Sequence, residues 1–111
     1  MAKGVAGEEA VSAAIGVARN VGAGRITIPG LGPGGIRVPD FSPLLTILLR
    51  GAVVEVKNVA TLKWSQQLAD LLAYAQSKGA ILEIWTNAAA PAAGKLADAI
   101  ERGWVKLVPI P

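Results

Sequence analysis

The residues best suited to chemistry lie in the middle of the chain. Asp40 follows Pro39, and Glu55 and Lys57 stand two positions apart in a segment that is otherwise Ala and Val. Two carboxylates that converge repel each other unless a cation lies between them. A divalent metal in that position polarises a phosphoryl oxygen and activates a water without any histidine. Asp40 and Glu55 are therefore candidate metal ligands.

Two neighbouring groups complete this candidate site. The carbonyl of Val56 offers a further oxygen ligand. Lys57 can orient the attacking water or stabilise the negative charge that develops during attack. The rival interpretation stays open: Glu55 and Lys57 can form an ion pair on a solvated sheet face, with Asp40 a turn residue after Pro39.

Composition narrows the chemistry. The chain has 111 residues, the size of one domain, and contains no Cys and no His. Disulfides, thiolate metal sites, serine-type triads and histidine bases are thereby excluded. Any metal ligands are oxygens, which suits Mg²⁺, Mn²⁺ or Ca²⁺ better than zinc. The net charge of +3 permits a polyanionic partner, and no apolar run reaches the ~18 residues of a membrane span.

Periodicity and turn residues predict the elements that position these residues. The predicted helices are 8–19, 64–78 and 91–102, and the predicted strands are 25–29, 36–40, 52–57, 80–86 and 104–108. The order αβββαβαβ predicts an α/β (or α+β) fold with a mixed sheet flanked by helices, in which the first three strands form a meander. We expect residues 1–7 to be a mobile start or the remnant of a longer protein, and 8–111 to be one domain.

Strand alternation tells which side chains can meet. Glu55 and Lys57 share one face of the strand 52–57, while Val54 and Val56 pack on the other. If the strands 36–40 and 52–57 pair, Asp40 comes beside Glu55.

Other residues have two interpretations each. The segment 30–35, GLGPGG, is a turn and lacks the ending of a phosphate loop. Four basic residues can contact a phosphate backbone or stay solvated: Arg25, Arg37, Lys63 and Lys95. Arg37 can alternatively form an ion pair in the fold. The three tryptophans, Trp64, Trp85 and Trp104, are expected in the core rather than as base-stacking platforms.

The motif resembles the PD-(D/E)XK superfamily of restriction-endonuclease folds. More specifically, the chain is similar to the restriction-endonuclease-fold toxin domains of bacterial polymorphic toxins, over about residues 8–110. Those domains show an R-x-P-D strand, an E-V-K-N strand and a helix with Q-L-x-D. The matching positions are Arg37, Pro39, Asp40, Glu55, Val56, Lys57, Asn58, Gln67, Leu68 and Asp70.

The resemblance implies roles for particular residues. Asp40 and Glu55 bind Mg²⁺ or Mn²⁺, and Lys57 assists the attacking water. Gln67 joins the site from the following helix, with Gln66 as the competing register. A glutamate of the first helix, Glu9 or its neighbour Glu8, adds a ligand, unless it only favours the helix dipole.

The resemblance also implies a function. We expect a metal-dependent endonuclease toxin that cleaves DNA, with an RNase of the same fold, for instance one acting on tRNA, as the alternative. A non-catalytic module that binds nucleic acid or a partner protein is the third hypothesis. Such domains belong to larger secreted effectors, act in the cytoplasm of a target cell and are neutralised by a cognate immunity protein.

Overall fold

Three parallel strands and four helices form the body of the structure, a computed structural model that describes residues 3–111. The helices are α1 (Lys3–Ile15), α2 (Pro43–Arg50), α3 (Gln66–Ser77) and α4 (Lys95–Glu101). The strands are β1 (Ile28–Pro29), β2 (Ile36–Arg37), β3 (Ala52–Val56), β4 (Ile81–Trp85) and β5 (Val105–Val108). The predicted α/β class is confirmed, with helices flanking a sheet.

The parallel sheet has the order β3-β4-β5. Val53 lies opposite Leu82, and Leu82 lies opposite Val105, so the three strands are in line. Parallel sheets are covered on both faces, which explains why these strands are nearly continuous apolar runs. The helices α3 and α4 provide the two crossovers that parallel pairing requires.

The core lies on both faces of this sheet. Val53 and Leu82 point toward α3 and α4 and pack with Leu68 and Leu71. Val54 and Val56 point to the other face, where they pack with residues from α1 and with Phe41, which is completely buried. The predicted alternation along 52–57 is confirmed, so Glu55 and Lys57 belong to the α3 face.

The strands β1 and β2 form a separate antiparallel hairpin. A 3₁₀ turn at Pro33–Gly35 joins them, so the predicted turn at 30–35 is confirmed. Gly32 is required there, because a Cβ at this position would collide with the carbonyl oxygen of Ile36. The predicted meander is wrong: β3 pairs with β4 and not with β2.

Helix α2 was not predicted. Its sequence, PLLTILLR, has only Thr46 and Arg50 as polar side chains, which are too few to reveal helical periodicity. Four of its leucines are exposed in the structure: Leu44, Leu45, Leu48 and Leu49. The helix ends at Gly51, whose φ of +67° suits glycine and whose N–H donates to the Ile47 carbonyl at 2.8 Å. The element order is therefore αββαβαβαβ.

Helix α1 lies earlier than predicted. It begins at Lys3, so residues 3–7 of the expected mobile start are helical, while residues 1 and 2 lie outside the described residues. It ends at Gly16, with a φ of +70°, rather than near Gly22. Residues 17–20 are thus free to run beside the segment that holds Asp40. None of the helices within 3–111 has the length and hydropathy to cross a membrane.

Candidate active site

Asp40 reaches β3 through its side chain. One carboxylate oxygen, Oδ2, accepts a hydrogen bond from the Val56 N–H at 2.7 Å. The strand β3 is at the edge of its sheet, so the N–H of Val56 is available to a partner outside the sheet. The N–H and carbonyl of one strand residue point to the same side, so the Val56 carbonyl also lies on this edge. The expected meeting of Asp40 and Glu55 occurs without pairing of their strands.

Residues after α1 hold the other side of Asp40. The N–H of Asn20 donates to the Asp40 carbonyl at 2.8 Å, and the Asn20 side chain donates to the Pro39 carbonyl at 2.9 Å. Arg19 and Phe41 form an antiparallel bridge next to these bonds. Arg19 and Asn20 were not predicted as site residues, because no periodic pattern links residues this far apart in the chain.

Glu55 is a buried carboxylate in this structure. It is 1% exposed, and its Oε1 atom has no hydrogen-bond partner within the described residues. Burial raises the pKa of Glu55 well above the ordinary value of 4.5, and the charge of Asp40 and a hydrogen bond between the two carboxyl groups raise it further. Lys57 and a backbone hydrogen bond from Asp40 lower the pKa, but they do not offset the burial.

Lys57 lies between Glu55 and α3. Its Nζ atom is 3.8 Å from Glu55 Oε2 and donates to Gln67 Oε1 at 2.7 Å. The structure thus brings Gln67, and not Gln66, to Lys57. Gln66 donates instead to Asp70 at 2.9 Å. The serine before the helix, Ser65, accepts from the Leu68 N–H at 3.2 Å and fixes where α3 begins.

The glutamate of α1 that approaches the site is Glu8. Burial and the charge of Asp40 raise the pKa of Glu8, while an ion pair with Arg19 at 3.5 Å opposes them. Glu9 is exposed. Helix α1 comes close to β3 at Gly7, where an added Cβ would lie 3.2 Å from the Asn58 side chain and 3.3 Å from Val56.

The oxygen atoms around Asp40 fit a divalent cation. Two carboxylates meet there, one of them has an unpartnered buried oxygen, and the Val56 carbonyl lies on the same edge. Oxygen-only ligands suit hard divalent cations. Within residues 3–111 no three Asp, Glu, His or Cys side chains are placed together to hold a metal ion. Glu8 therefore lies near the two carboxylates without forming a three-residue metal site with them.

The predicted phosphate contacts divide into three kinds. Arg25 and Arg37 line one groove of about 330 Å³ together with Gln67, which connects it to Lys57. Lys63 is exposed and does not line that groove. Lys95 lines a different groove of about 390 Å³, between α3 and α4.

Arg37 has a partner in the fold. Its Nε donates to Asp70 Oδ2 at 2.9 Å, and the same oxygen accepts from the Leu31 N–H at 2.8 Å. These bonds hold the hairpin β1–β2 against α3. The alternative interpretation of Arg37 as an ion-pairing residue is therefore what the structure shows.

The tryptophans occupy different environments. Trp85 is buried and Trp64 packs partly buried against the core, as expected. Trp104 is 42% exposed, with the Arg102 guanidinium 5.0 Å from its ring centre, so its assignment to the core is wrong. It lies between α4 and β5, where Gly103 turns the chain with a positive φ.

The fold and this site together indicate the class of protein to which the chain belongs. A parallel α/β core that joins two carboxylates and a lysine at the end of an edge strand is consistent with a restriction-endonuclease-like fold. Residues 4–96 match the family described as restriction endonuclease fold toxin 7, Tox-REase-7. The match spans well over half of the chain, which therefore belongs to this family. No curated protein and no solved structure matches the chain.

The match to this family confirms the resemblance that the motif residues indicated. It identifies the chain as a restriction-endonuclease-fold toxin, which indicates nuclease toxin activity on nucleic acid.

Proposed function

We propose that this chain is a divalent-metal-dependent endonuclease toxin that hydrolyses phosphodiester bonds in DNA. The observation that carries the proposal is the meeting of Asp40, Glu55 and Lys57 at the end of β3. Membership of a toxin family with a restriction endonuclease fold supports it.

The carboxylates of Asp40 and Glu55 and the Val56 carbonyl hold the cation in this proposal, with Mg²⁺ or Mn²⁺ as the ion. When bound, such a cation polarises a phosphoryl oxygen and activates water. Its charge would also oppose the burial and the charge of Asp40 that raise the pKa of Glu55, and would thereby favour the ionised carboxylate. Glu8, on which the charge of Asp40 acts, would add a further carboxylate near the cation, whereas the exposed Glu9 is not proposed as a ligand.

Lys57 acts on the reacting groups. Gln67 holds its ammonium at 2.7 Å, which limits the rotamers of a side chain that is otherwise flexible. From this position the ammonium orients the attacking water or stabilises the negative charge on the phosphorus oxygens. Gln67 is a positioning residue because it acts through Lys57.

Basic residues at the groove beside Gln67 bind the substrate backbone in this proposal. Arg25 is exposed there, and Arg37 keeps its bond to Asp70 with its other N–H groups available. Lys63 adds an exposed charge just before α3. Phosphate contacts of this kind position a nucleic acid but do not select its sequence.

The wider setting belongs to the same proposal. The domain is part of a larger secreted effector, acts in the cytoplasm of a target cell and is neutralised by a cognate immunity protein. RNA is the second substrate, since a phosphodiester site does not by itself distinguish the two nucleic acids.

One assay tests metal dependence and substrate together. Supercoiled plasmid and total RNA are incubated separately with the protein, in Mg²⁺ or in EDTA. We expect plasmid nicking in Mg²⁺, little RNA loss, and no cleavage in EDTA. Preferential loss of RNA would move the proposal to the RNase alternative. Cleavage that continues in EDTA would contradict the metal-dependent reading.

Within residues 3–111 no three Asp, Glu, His or Cys side chains are placed to hold a metal ion, so the non-catalytic binding module is tested as the alternative. Calorimetric titration with Mn²⁺ separates the two functions, with Glu55→Gln as the control. Binding by the wild type that is weakened in Glu55→Gln supports the nuclease. Absence of binding at millimolar Mn²⁺ supports the module.

A further inference from the structure

Arg19 has a fixed place beside the site. Its backbone bridges to Phe41, and the following residue, Asn20, donates its N–H to the Asp40 carbonyl. Two-sided attachment to the segment 39–41 keeps the base of the Arg19 side chain at a constant distance from Asp40. The role that we infer for Arg19 rests on the proposed function of this site.

The Arg19 side chain is incompletely bonded. Its Nε is buried and makes no hydrogen bond within residues 3–111. Its ion pair with Glu8 Oε1 spans 3.5 Å, whereas charge-assisted hydrogen bonds between such groups measure about 2.7–2.9 Å. A buried donor without a partner is unfavourable, and an arginine has several donors to satisfy. The pairing with Glu8 is therefore loose.

The charges around Arg19 suit an incoming anion. Glu8 is held between the charge of Asp40, which repels it, and that of Arg19, which attracts it. Lys57 is already bonded to Gln67 on the α3 side. Arg19 lies on the α1 side, and its buried Nε donor has no hydrogen-bond partner among residues 3–111. A planar guanidinium matches two oxygens of a phosphate better than an ammonium does.

We propose that Arg19 is a phosphate-binding residue of the active site, whose guanidinium leaves Glu8 to pair with a non-bridging oxygen of the scissile phosphate. Lys57 and Arg19 then approach the phosphate from opposite sides of the carboxylates. The alternative is that Arg19 only holds Glu8 and α1 in place.

The test compares Arg19→Ala, Arg19→Lys, Glu8→Gln and the double variant Arg19→Ala/Glu8→Gln. Arg102→Ala is the matched control, because Arg102 is exposed and stacks on Trp104. Cleavage of plasmid is measured in Mg²⁺, with and without added guanidinium at low millimolar concentration. Binding of a fluorescein-labelled DNA duplex is measured in EDTA over a range of salt, and thermal denaturation checks that each variant folds.

Contact with phosphate predicts a loss of about 100-fold in kcat/KM for Arg19→Ala. We expect partial activity in Arg19→Lys and partial rescue of Arg19→Ala by free guanidinium, with no rescue in Arg102→Ala. We also expect the slope of DNA affinity against salt concentration to fall in Arg19→Ala by about the amount that one phosphate contact contributes. Glu8→Gln should cost less, and the double variant should be worse than Glu8→Gln alone.

Any one of three results would overturn the role of Arg19. The first is a kcat/KM of Arg19→Ala within about twofold of the wild type, and the second is equal cleavage by the double variant and Glu8→Gln with no rescue by guanidinium. The third is a salt dependence of DNA binding that is unchanged in Arg19→Ala. The proposed function can fail separately. The wild type could bind DNA but cleave nothing, while Arg19→Ala shows a salt dependence of binding reduced by one contact. That result supports the phosphate contact and rejects the nuclease function. If Arg19→Ala cleaves as well as the wild type, the nuclease function is retained and the phosphate contact of Arg19 is rejected.

Discussion

Glu55 is placed at a cost to stability. Its carboxyl group is buried beside another carboxylate, one of its oxygens is unpartnered, and Lys57 at 3.8 Å gives limited compensation. Functional sites often hold groups in such unfavourable positions and are stabilised by their ligand. The expected ligand of Glu55 is a cation.

Glu55→Gln should therefore separate stability from activity. Above the ordinary pKa of 4.5 the unfolded chain ionises Glu55, while the folded chain retains the proton up to its raised pKa. Stability is thus lost as pH rises from 4.5, and a neutral glutamine avoids this loss. In EDTA at pH 7 we expect a higher melting temperature for Glu55→Gln than for the wild type. Cleavage in Mg²⁺ should fall by about 100-fold or more.

A lower melting temperature in Glu55→Gln would show that the ionised carboxylate stabilises the fold, contrary to the raised pKa. The same measurement at pH 4 is the internal control, because below 4.5 Glu55 is mostly protonated in both the folded and the unfolded wild type, so the two proteins should differ least there.

At the residue level, strand alternation was enough to predict which side chains share a face of β3. Glu55 and Lys57 share a face because they are two residues apart in a short apolar strand. The bond between Asp40 and the Val56 N–H follows from the edge position of β3, which depends on the pairing of distant strands. Arg19 and Asn20 could not be found by spacing, since a turn of irregular conformation brings them to Asp40.

At the level of elements, the hairpin β1–β2 depends on one carboxylate. Asp70 on α3 accepts from Arg37, from the Leu31 N–H and from Gln66. These bonds, led by the one from Leu31, lower the pKa of Asp70 to about 2. The groove that Arg25 and Arg37 line is formed by this hairpin, so the same bonds shape it.

Asp70→Asn should weaken the fold in a pH-dependent way. A depressed pKa means that the ionised form contributes stability above 3.8, which is lost as pH falls toward about 2. We expect Asp70→Asn to lower the urea midpoint at pH 7 and to flatten its decline between pH 4 and pH 2 relative to the wild type. The exposed Glu101 provides the control Glu101→Gln, which should leave both unchanged. A wild-type decline retained in Asp70→Asn would assign the acid sensitivity elsewhere.

Helix α1 places Glu8 through the close contact at Gly7. Alanine favours helices over glycine by up to about 1 kcal/mol. Gly4→Ala adds a Cβ in open space and should raise stability by about this amount with activity unchanged. Gly7→Ala presses on Asn58 and Val56, so it should lose that gain and reduce cleavage by moving Glu8 away from Asp40.

Urea denaturation and plasmid cleavage check both glycine variants. Equal activity in Gly4→Ala and Gly7→Ala would show that the distance between α1 and β3 does not matter to the site.

The elements that could be predicted are those with contrast in their sequence. The strand β3 is an uninterrupted apolar run apart from Glu55, and α3 has a serine at its start, a leucine stripe and Gly79 at its end. Helix α2 has no such contrast. The strands β1 and β2 contain two residues each, shorter than the alternating segments from which they were predicted.

At the level of the whole molecule, the site lies where three separate parts of the chain meet. Helix α1 brings Glu8, the segment after β2 brings Asp40, and the β3–α3 unit brings Glu55, Lys57 and Gln67. The exposed leucines of α2 lie on a helix that packs against β3, and the basic groove lies beside Gln67. Family membership and this convergence together support one account, in which the end of β3 is a nuclease centre.

The measurement that tests this account most directly is plasmid cleavage in Mg²⁺ by the wild type, Lys57→Ala and Lys78→Ala. Lys78 is an exposed lysine just after α3 and stacks on Tyr74 at 5.5 Å. A nuclease centre at the end of β3 predicts cleavage by the wild type and by Lys78→Ala, and a loss of about 100-fold or more in a folded Lys57→Ala. Cleavage by Lys57→Ala at the rate of Lys78→Ala would contradict it.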